Sequence, residues 1–176
     1  MLAERPDLRL FVALWPDGDL GARIAQAARA AIGDGRAVPA ERLHLTLAFI
    51  GRLPADRLDA CSQALGTVRG GSFDLCLDRF GFWRRNGILW LGMREPGAHC
   101  AQQLAALVTG ALQQASLPYD RRPFGAHLTV ARKCRQPGSM SQPAAIGWRV
   151  SHWQLIESTL DPAGSVYRVR AEWPLS

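Results

Sequence analysis

The sequence predicts an α+β protein built from antiparallel strands, and three observations lead there. Apolar runs with β-branched or aromatic content alternate with Ala-rich amphipathic segments. The middle of the chain switches to period-two alternation across Asn86-Gly87, a hairpin signal. The chain then closes on two further strands. The order strand–helix–strand–helix–hairpin–helix–strand–loop–hairpin argues against a doubly wound parallel sheet. No Gly-rich phosphate loop follows the first strand, which argues against a Rossmann or P-loop nucleotide site. With 176 residues, 48% of them hydrophobic, residues 1–176 fit a single domain or one unit made of two similar halves.

The elements follow in order. Leu8–Trp15 ("LRLFVALW") reads as a buried strand stopped by Pro16-Asp17-Gly18. Leu20–Ile32 has apolar residues at helical spacing and ends at Gly33-Asp34-Gly35. Arg42–Gly51 ("RLHLTLAFIG") is a second strand, and Ala55–Val68 a second amphipathic helix closed by Gly70-Gly71. Ser72–Trp83 and Gly87–Met93 form the central hairpin. From about Gly97 to Ser116, residues Leu104, Leu107, Val108, Ala111, Leu112 and Ala115 mark one helical face. Gly125–Lys133 is a strand, Gln136–Pro143 an exposed loop, and "WRVSHWQLIES" and "SVYRVRAEW" a last strand pair joined by Asp161–Gly164.

Charge narrows the partners. Lys plus Arg exceed Asp plus Glu by 21 to 15, and Lys133 is the only lysine. A basic surface concentrates polyanions, and guanidinium suits bidentate phosphate contacts, although a GC-rich coding sequence would also raise arginine. Cys61, Cys76, Cys100 and Cys134 are too scattered for a zinc site or a disulfide scaffold and read as reduced thiols. The opening "MLAERPDLRL" carries charge where a signal peptide needs an apolar stretch, and no run is long enough to span a membrane. The expectation is a cytoplasmic protein.

Two short motifs stand out. The chain has four histidines and five threonines, yet His44-Leu-Thr46 and His127-Leu-Thr129 repeat one spacing. Alternate side chains share a strand face, so each motif sets an imidazole beside a hydroxyl, with Leu45, Leu47, Leu128 and Val130 turned the other way. Singly, such a histidine is most simply a hydrogen-bonded core residue. As a pair they are the minimum equipment for acid–base catalysis near neutral pH, one ring accepting a proton while the other gives one. Two hydroxyls suit the non-bridging oxygens of a phosphate, and Arg132 supplies a cation close by. No metal ligand set accompanies them, and no G-x-S-x-G points to serine hydrolysis.

The paired motifs "HLTLAFIG" and "HLTVAR" resemble those of the 2H phosphoesterase superfamily, nearest to its RNA 2′,3′-cyclic phosphodiesterase (2′-5′ RNA ligase) branch. The likeness extends to "RLFVALWP", "GILWLGM", "RRPFGAHLTVAR" and "LIESTLDPAGSVYRVRAEWPL". It implies a bilobal α+β fold with two pseudo-symmetric lobes, each with an antiparallel sheet and helices, and a cleft between them. It further implies His44 as proton donor, His127 as proton acceptor, and Thr46 and Thr129 as phosphate-binding residues. The implied reaction opens the 2′,3′-cyclic phosphate of an RNA end to a 2′-phosphate, with reversible 2′-5′ RNA ligation, in which a 5′-hydroxyl takes the place of water, as a companion reaction. No cofactor, metal or membrane is called for, and a monomer is expected. Many relatives carry proline before the second histidine, where this chain has Ala126.

His99 and His152 match no motif and are read as surface or structural. Trp15, Phe49, Phe124 and Tyr167 are candidates to stack a terminal base, with core packing the ordinary alternative for each. Two other functions stay open on the sequence. One is a non-catalytic RNA-end binding module, though binding alone does not need two titrating imidazoles. The other is a phosphodiesterase for small cyclic nucleotides or 2′-5′ oligoadenylates, which would use the same residues.

Overall fold

In the computed structural model, residues 7–162 and 164–176 are described. The opening "MLAERP" and Ala163 of the last turn, on which two of the sequence expectations bear, lie outside them.

Strand β1 (Leu8–Leu14) leads through Pro16 into α1 (Gly18–Ala28), which Asp17 caps by accepting the Leu20 N–H at 2.7 Å. The helix stops four residues short of Ile32. The carbonyls of Ala30 and Ala31 instead take the N–H groups of Ser139 and Gly138 from the loop after Gln136. A two-residue strand β2 (Arg36–Ala37) and a 3₁₀ turn (Ala40–Arg42) precede β3 (Leu45–Leu53). The second helical segment is a 3₁₀ turn (Ala55–Arg57) running into α2 (Leu58–Leu65). The central hairpin is β4 (Phe73–Trp83) and β5 (Ile88–Met93), followed by α3 (Gly97–Gln114) and β6 (His127–Arg132). Trp83 pairs with Ile88, so the turn holds the four residues Arg84–Gly87, and β5 starts one residue later than the sequence suggests, with Gly87 at φ +60°.

The stretch "WRVSHWQLIES" is two strands, not one: β7 (Ile146–Val150) and β8 (His152–Asp161), with Ser151 between them. Burial falls on Ile146, Trp148 and Val150, then on Trp153 and Leu155, so the inward phase flips at Ser151. β9 (Gly164–Pro174) closes the chain.

All strands join one sheet in the order β7-β4-β5-β6-β3-β1-β8-β9, with β2 beside β6. The eight-strand path is two antiparallel sets of four, β6-β5-β4-β7 and β3-β1-β8-β9, one to each lobe, and the two expected sheets are continuous as one. The lobes meet at a single registered pair, Leu45 opposite Leu128. Those are the residues that follow the two motif histidines.

One face of the sheet is covered by helices. Leu20, Ile24, Leu65, Leu104, Val108 and Leu112 pack there against Leu10, Val12, Leu14, Leu45, Leu91 and Leu128, all buried. The opposite face of the β3 lobe holds a small second cluster of Phe11, Ala13 and Ile156, flanked by Trp15 and Tyr167. That uncovered face carries the motifs.

Candidate active site

Alternation places the motifs as the sequence predicts: Leu45, Leu47, Leu128 and Val130 are buried, while His44, Thr46, His127 and Thr129 are half-exposed on the other face. The register of Leu45 with Leu128 sets their relative positions. One step along an antiparallel pair in either direction brings His44 across from Thr129 and Thr46 across from His127. Each histidine is thus set across from the threonine of the other motif, and the four residues form one quartet on the same face where the lobes join.

Both rings are held in the same way. Nδ1 of His44 lies 2.8 Å from the Arg42 carbonyl, and Nδ1 of His127 lies 2.6 Å from the Gly125 carbonyl. A carbonyl only accepts, so each Nδ1 carries the hydrogen and donates it two residues back. This fixes one tautomer and leaves Nε2 of both rings for the cleft.

Their surroundings differ. His44 stacks under Trp15, with centroids 4.8 Å apart and planes at 15°, and meets Tyr167 edge-on at 5.5 Å and Phe11 at 5.1 Å. This aromatic cage strips water from the ring, and the charges of Arg132 and His127 add to the effect. Together they push its pKa down to about 4 against the opposing hydrogen bond to Arg42. His127 sits edge-on to Trp83 at 4.6 Å and to Trp90 at 6.4 Å. Its pKa is also lowered, by desolvation first and then by Arg132, while the bond to Gly125 opposes the shift. Both rings are therefore biased toward the neutral form, His44 included, although the resemblance makes His44 the proton donor.

Arg132 reaches this face through a β-bulge. Trp90 pairs with Thr129 and Leu89 with Ala131, so Val130 is the extra residue on β6. Val130 and Ala131 are both buried, and the exposed Arg132 returns to the side of His127 and Thr129. The matching segment of β3 does the same. Ala13 pairs with Thr46 and Val12 with Ala48, Leu47 is the extra residue, and Phe49 returns to the cleft face, 45% exposed and opposite Phe11.

Several neighbours escaped the sequence reading. Phe11, Trp83 and Trp90 surround the histidines, and Arg36 lies directly across from Arg132 in the β2–β6 pair. Trp90 lies flat on the sheet over Gly81 and Gly92, where a Cβ at either glycine would strike its ring. Of the four aromatics named from the sequence, Trp15 and Tyr167 pack on His44, Phe124 packs against the main core, and Phe49 stays open. His99 is exposed at the start of α3. His152 lies beside Ser151 and Glu172. Among the described residues, no three His, Cys, Asp or Glu side chains are placed to hold a metal, and no helix is long and apolar enough to cross a membrane.

A model of the LigT-like phosphoesterase family matches residues 15–90, the part that holds the first motif. The RNA 2′,3′-cyclic phosphodiesterase of Escherichia coli K12 is 33% identical over 144 residues, covering 81% of this chain and 81% of that protein. The chain belongs to the LigT-like phosphoesterase family. Solved structures of similar shape include a phosphoesterase crystal structure with a TM-score of 0.88 at 30% identity, covering 98% of this chain and 99% of that one. Another is E. coli LigT in complex with 3′-AMP, at 0.86 and 30%, covering 97% and 99%. The bilobal LigT-like fold places the second motif, which lies beyond the matched model residues, beside the first across the Leu45–Leu128 junction.

Proposed function

We propose that the protein hydrolyses the 2′,3′-cyclic phosphate of RNA ends to a 2′-phosphate by two-histidine acid–base catalysis. The observation that carries this reading is the quartet of His44, Thr46, His127 and Thr129, with both imidazoles tied through Nδ1 and both Nε2 atoms free. The naming of several relatives, E. coli and Thermus thermophilus proteins among them, as RNA 2′,3′-cyclic phosphodiesterases supports the substrate.

In this mechanism His127 Nε2 takes a proton from water as its oxygen attacks phosphorus. His44 Nε2–H gives a proton to the ribose O3′ as the P–O3′ bond breaks. A 2′-phosphate and a free 3′-hydroxyl result. Thr46 and Thr129 donate to the non-bridging oxygens, and Arg132 offsets the charge that grows on them. The depressed proton affinity of His44 fits a substrate-armed acid. A bound phosphodiester anion supplies the counter-charge that the aromatic cage lacks, and an opposite charge nearby favours the imidazolium. His44 is thus protonated when substrate is present and neutral when it is absent.

The test is to offer RNA ended in a 2′,3′-cyclic phosphate, nucleoside 2′,3′-cyclic phosphates and 2′-5′ dimers, and to identify the products. Formation of a terminal 2′-phosphate that survives excess chelator is expected. Turnover restricted to 2′-5′ dimers, or loss on chelation with recovery on adding zinc or manganese, would contradict the proposal.

A further inference from the structure

We propose that RNA on the 5′ side of the cyclic phosphate leaves the cleft at the β6 end of the second lobe, over Trp83 and along a cationic rim of Arg36, Arg84, Arg85, Lys133 and Arg135. This rests on the reading of the cleft as a site for RNA ends, and goes beyond it by choosing one exit.

Three features converge there. First, strand pairing and one backbone hydrogen bond bring together cations from three separate segments. Arg36 stands directly opposite Arg132, both exposed, in the short β2–β6 pair. Like charges facing each other across strands repel, and an anion between them removes that penalty. On the other side of β6 the turn of the β4–β5 hairpin carries Arg84 and Arg85. It is tied to the end of β6 by the Cys134 N–H donating to the Gly87 carbonyl at 3.0 Å. Lys133, in the left-handed region at φ +54°, turns the chain at this junction.

Second, the cations are uncommitted. Arg94, Arg122, Arg149 and Arg170 pair with Asp78, Asp120, Asp74 and Glu157, whereas no rim residue has an ion-pair partner among the described residues. A carboxylate does lie close, that of Asp34, but its Oδ1 accepts the backbone N–H groups of Arg135 and Gln136, both at 2.9 Å. Beside Trp15 the chain carries Asp17 and Asp19, and the indole N–H donates to the Glu41 backbone carbonyl.

Third, Trp83 joins the rim to the chemistry. It is the last residue of β4 before Arg84, its ring touches His127, and it is 40% exposed. An exposed indole followed by arginines is the combination that holds single strands, stacking a base while cations follow the backbone.

The experiment compares kcat/KM for cytidine 2′,3′-cyclic phosphate with that for a decaribonucleotide ended in a 2′,3′-cyclic phosphate. The wild-type protein should prefer the oligonucleotide. R84A/R85A/K133A/R135A should lower the oligonucleotide-to-mononucleotide ratio at least tenfold, chiefly through KM. The variant should also flatten the salt dependence of oligonucleotide affinity by roughly 0.7 in log–log slope per lost phosphate contact. Arg94→Ala and Arg149→Ala, at acid-paired sites outside the rim, should leave the ratio as it is. R85E alone, at the exposed turn, repeats the measurement should the quadruple variant fail to fold. An unchanged ratio in a folded variant, or an equal fall for both substrates, would overturn the proposal. If the wild-type protein turns over neither substrate, the functional reading has failed, and fluorescence anisotropy with the same decaribonucleotide still decides the exit. Weaker binding by the variant upholds it, and equal binding refutes it.

Discussion

The two halves of the cleft start from nearly the same six residues, His44–Phe49 and His127–Arg132, and part company at the sixth. Both place a bulge after the threonine, and both bring the sixth side chain back to the cleft face. On one side that side chain is the phenyl ring of Phe49; on the other it is the guanidinium of Arg132. The rings before them diverge in the same sense. His44 is enclosed by Trp15, Tyr167 and Phe11, while His127 borders Trp83, Trp90 and the cationic end of β6. A symmetric backbone thus carries an apolar half and a cationic half. An acid and a base need such a difference, because identical surroundings would give two rings of equal proton affinity.

Removing either ring should break the pair most completely. His44→Ala and His127→Ala should each reduce kcat roughly 10²–10⁴-fold, the usual worth of one positioned acid or base. The double variant should lose less than the product of the two, because the groups act as a unit. Steady-state turnover on a cyclic-phosphate substrate checks both statements, and His99→Ala and His152→Ala serve as controls that change little. Near-normal turnover in a folded His127→Ala protein would make the repeated motif structural.

The sixth positions sharpen the contrast. Arg132→Ala should lower kcat, since it removes a charge that offsets the anionic transition state. Phe49→Ala should act on KM, since it removes only an open ring face. The split between kcat and KM in the two variants is the readout, and the same split in both would erase the proposed division of labour. Smaller still are the threonines. Thr46→Ala and Thr129→Ala each remove one neutral donor, worth about 0.5–1.5 kcal/mol, or about two- to twelvefold in kcat/KM.

Much of this was legible in the sequence because the needed information is local. Period-two alternation put each histidine and threonine on one face. Turn chemistry and helical spacing located most elements to within a few residues. What was not legible depends on pairing between distant segments. The bulge at Val130 shows only in its register with β5, so the sequence could offer Arg132 by proximity but no reason for its direction. Arg36 joins the site because β2 pairs with β6, and two residues of strand leave no periodic trace. The break between β7 and β8 does leave a trace in the sequence: the apolar positions change from even to odd between Val150 and Trp153, and such a flip marks a change of sheet face. The depressed pKa of His44 needs the cage, whose members are Phe11 of β1, Trp15 just after it and Tyr167 of β9.

The central claim, that one half of the cleft gives a proton and the other takes one, is tested most directly by the pH dependence of residual turnover in the two histidine variants. The wild-type kcat/KM should peak between the two titrations and fall on both sides. The alkaline limb of kcat should lie at higher pH than that of kcat/KM, because bound phosphate raises the proton affinity of His44. His44→Ala should lose the alkaline limb, having no proton donor left to deprotonate, and His127→Ala should lose the acid limb. Loss of the same limb in both variants, or a full bell in either, would contradict the account.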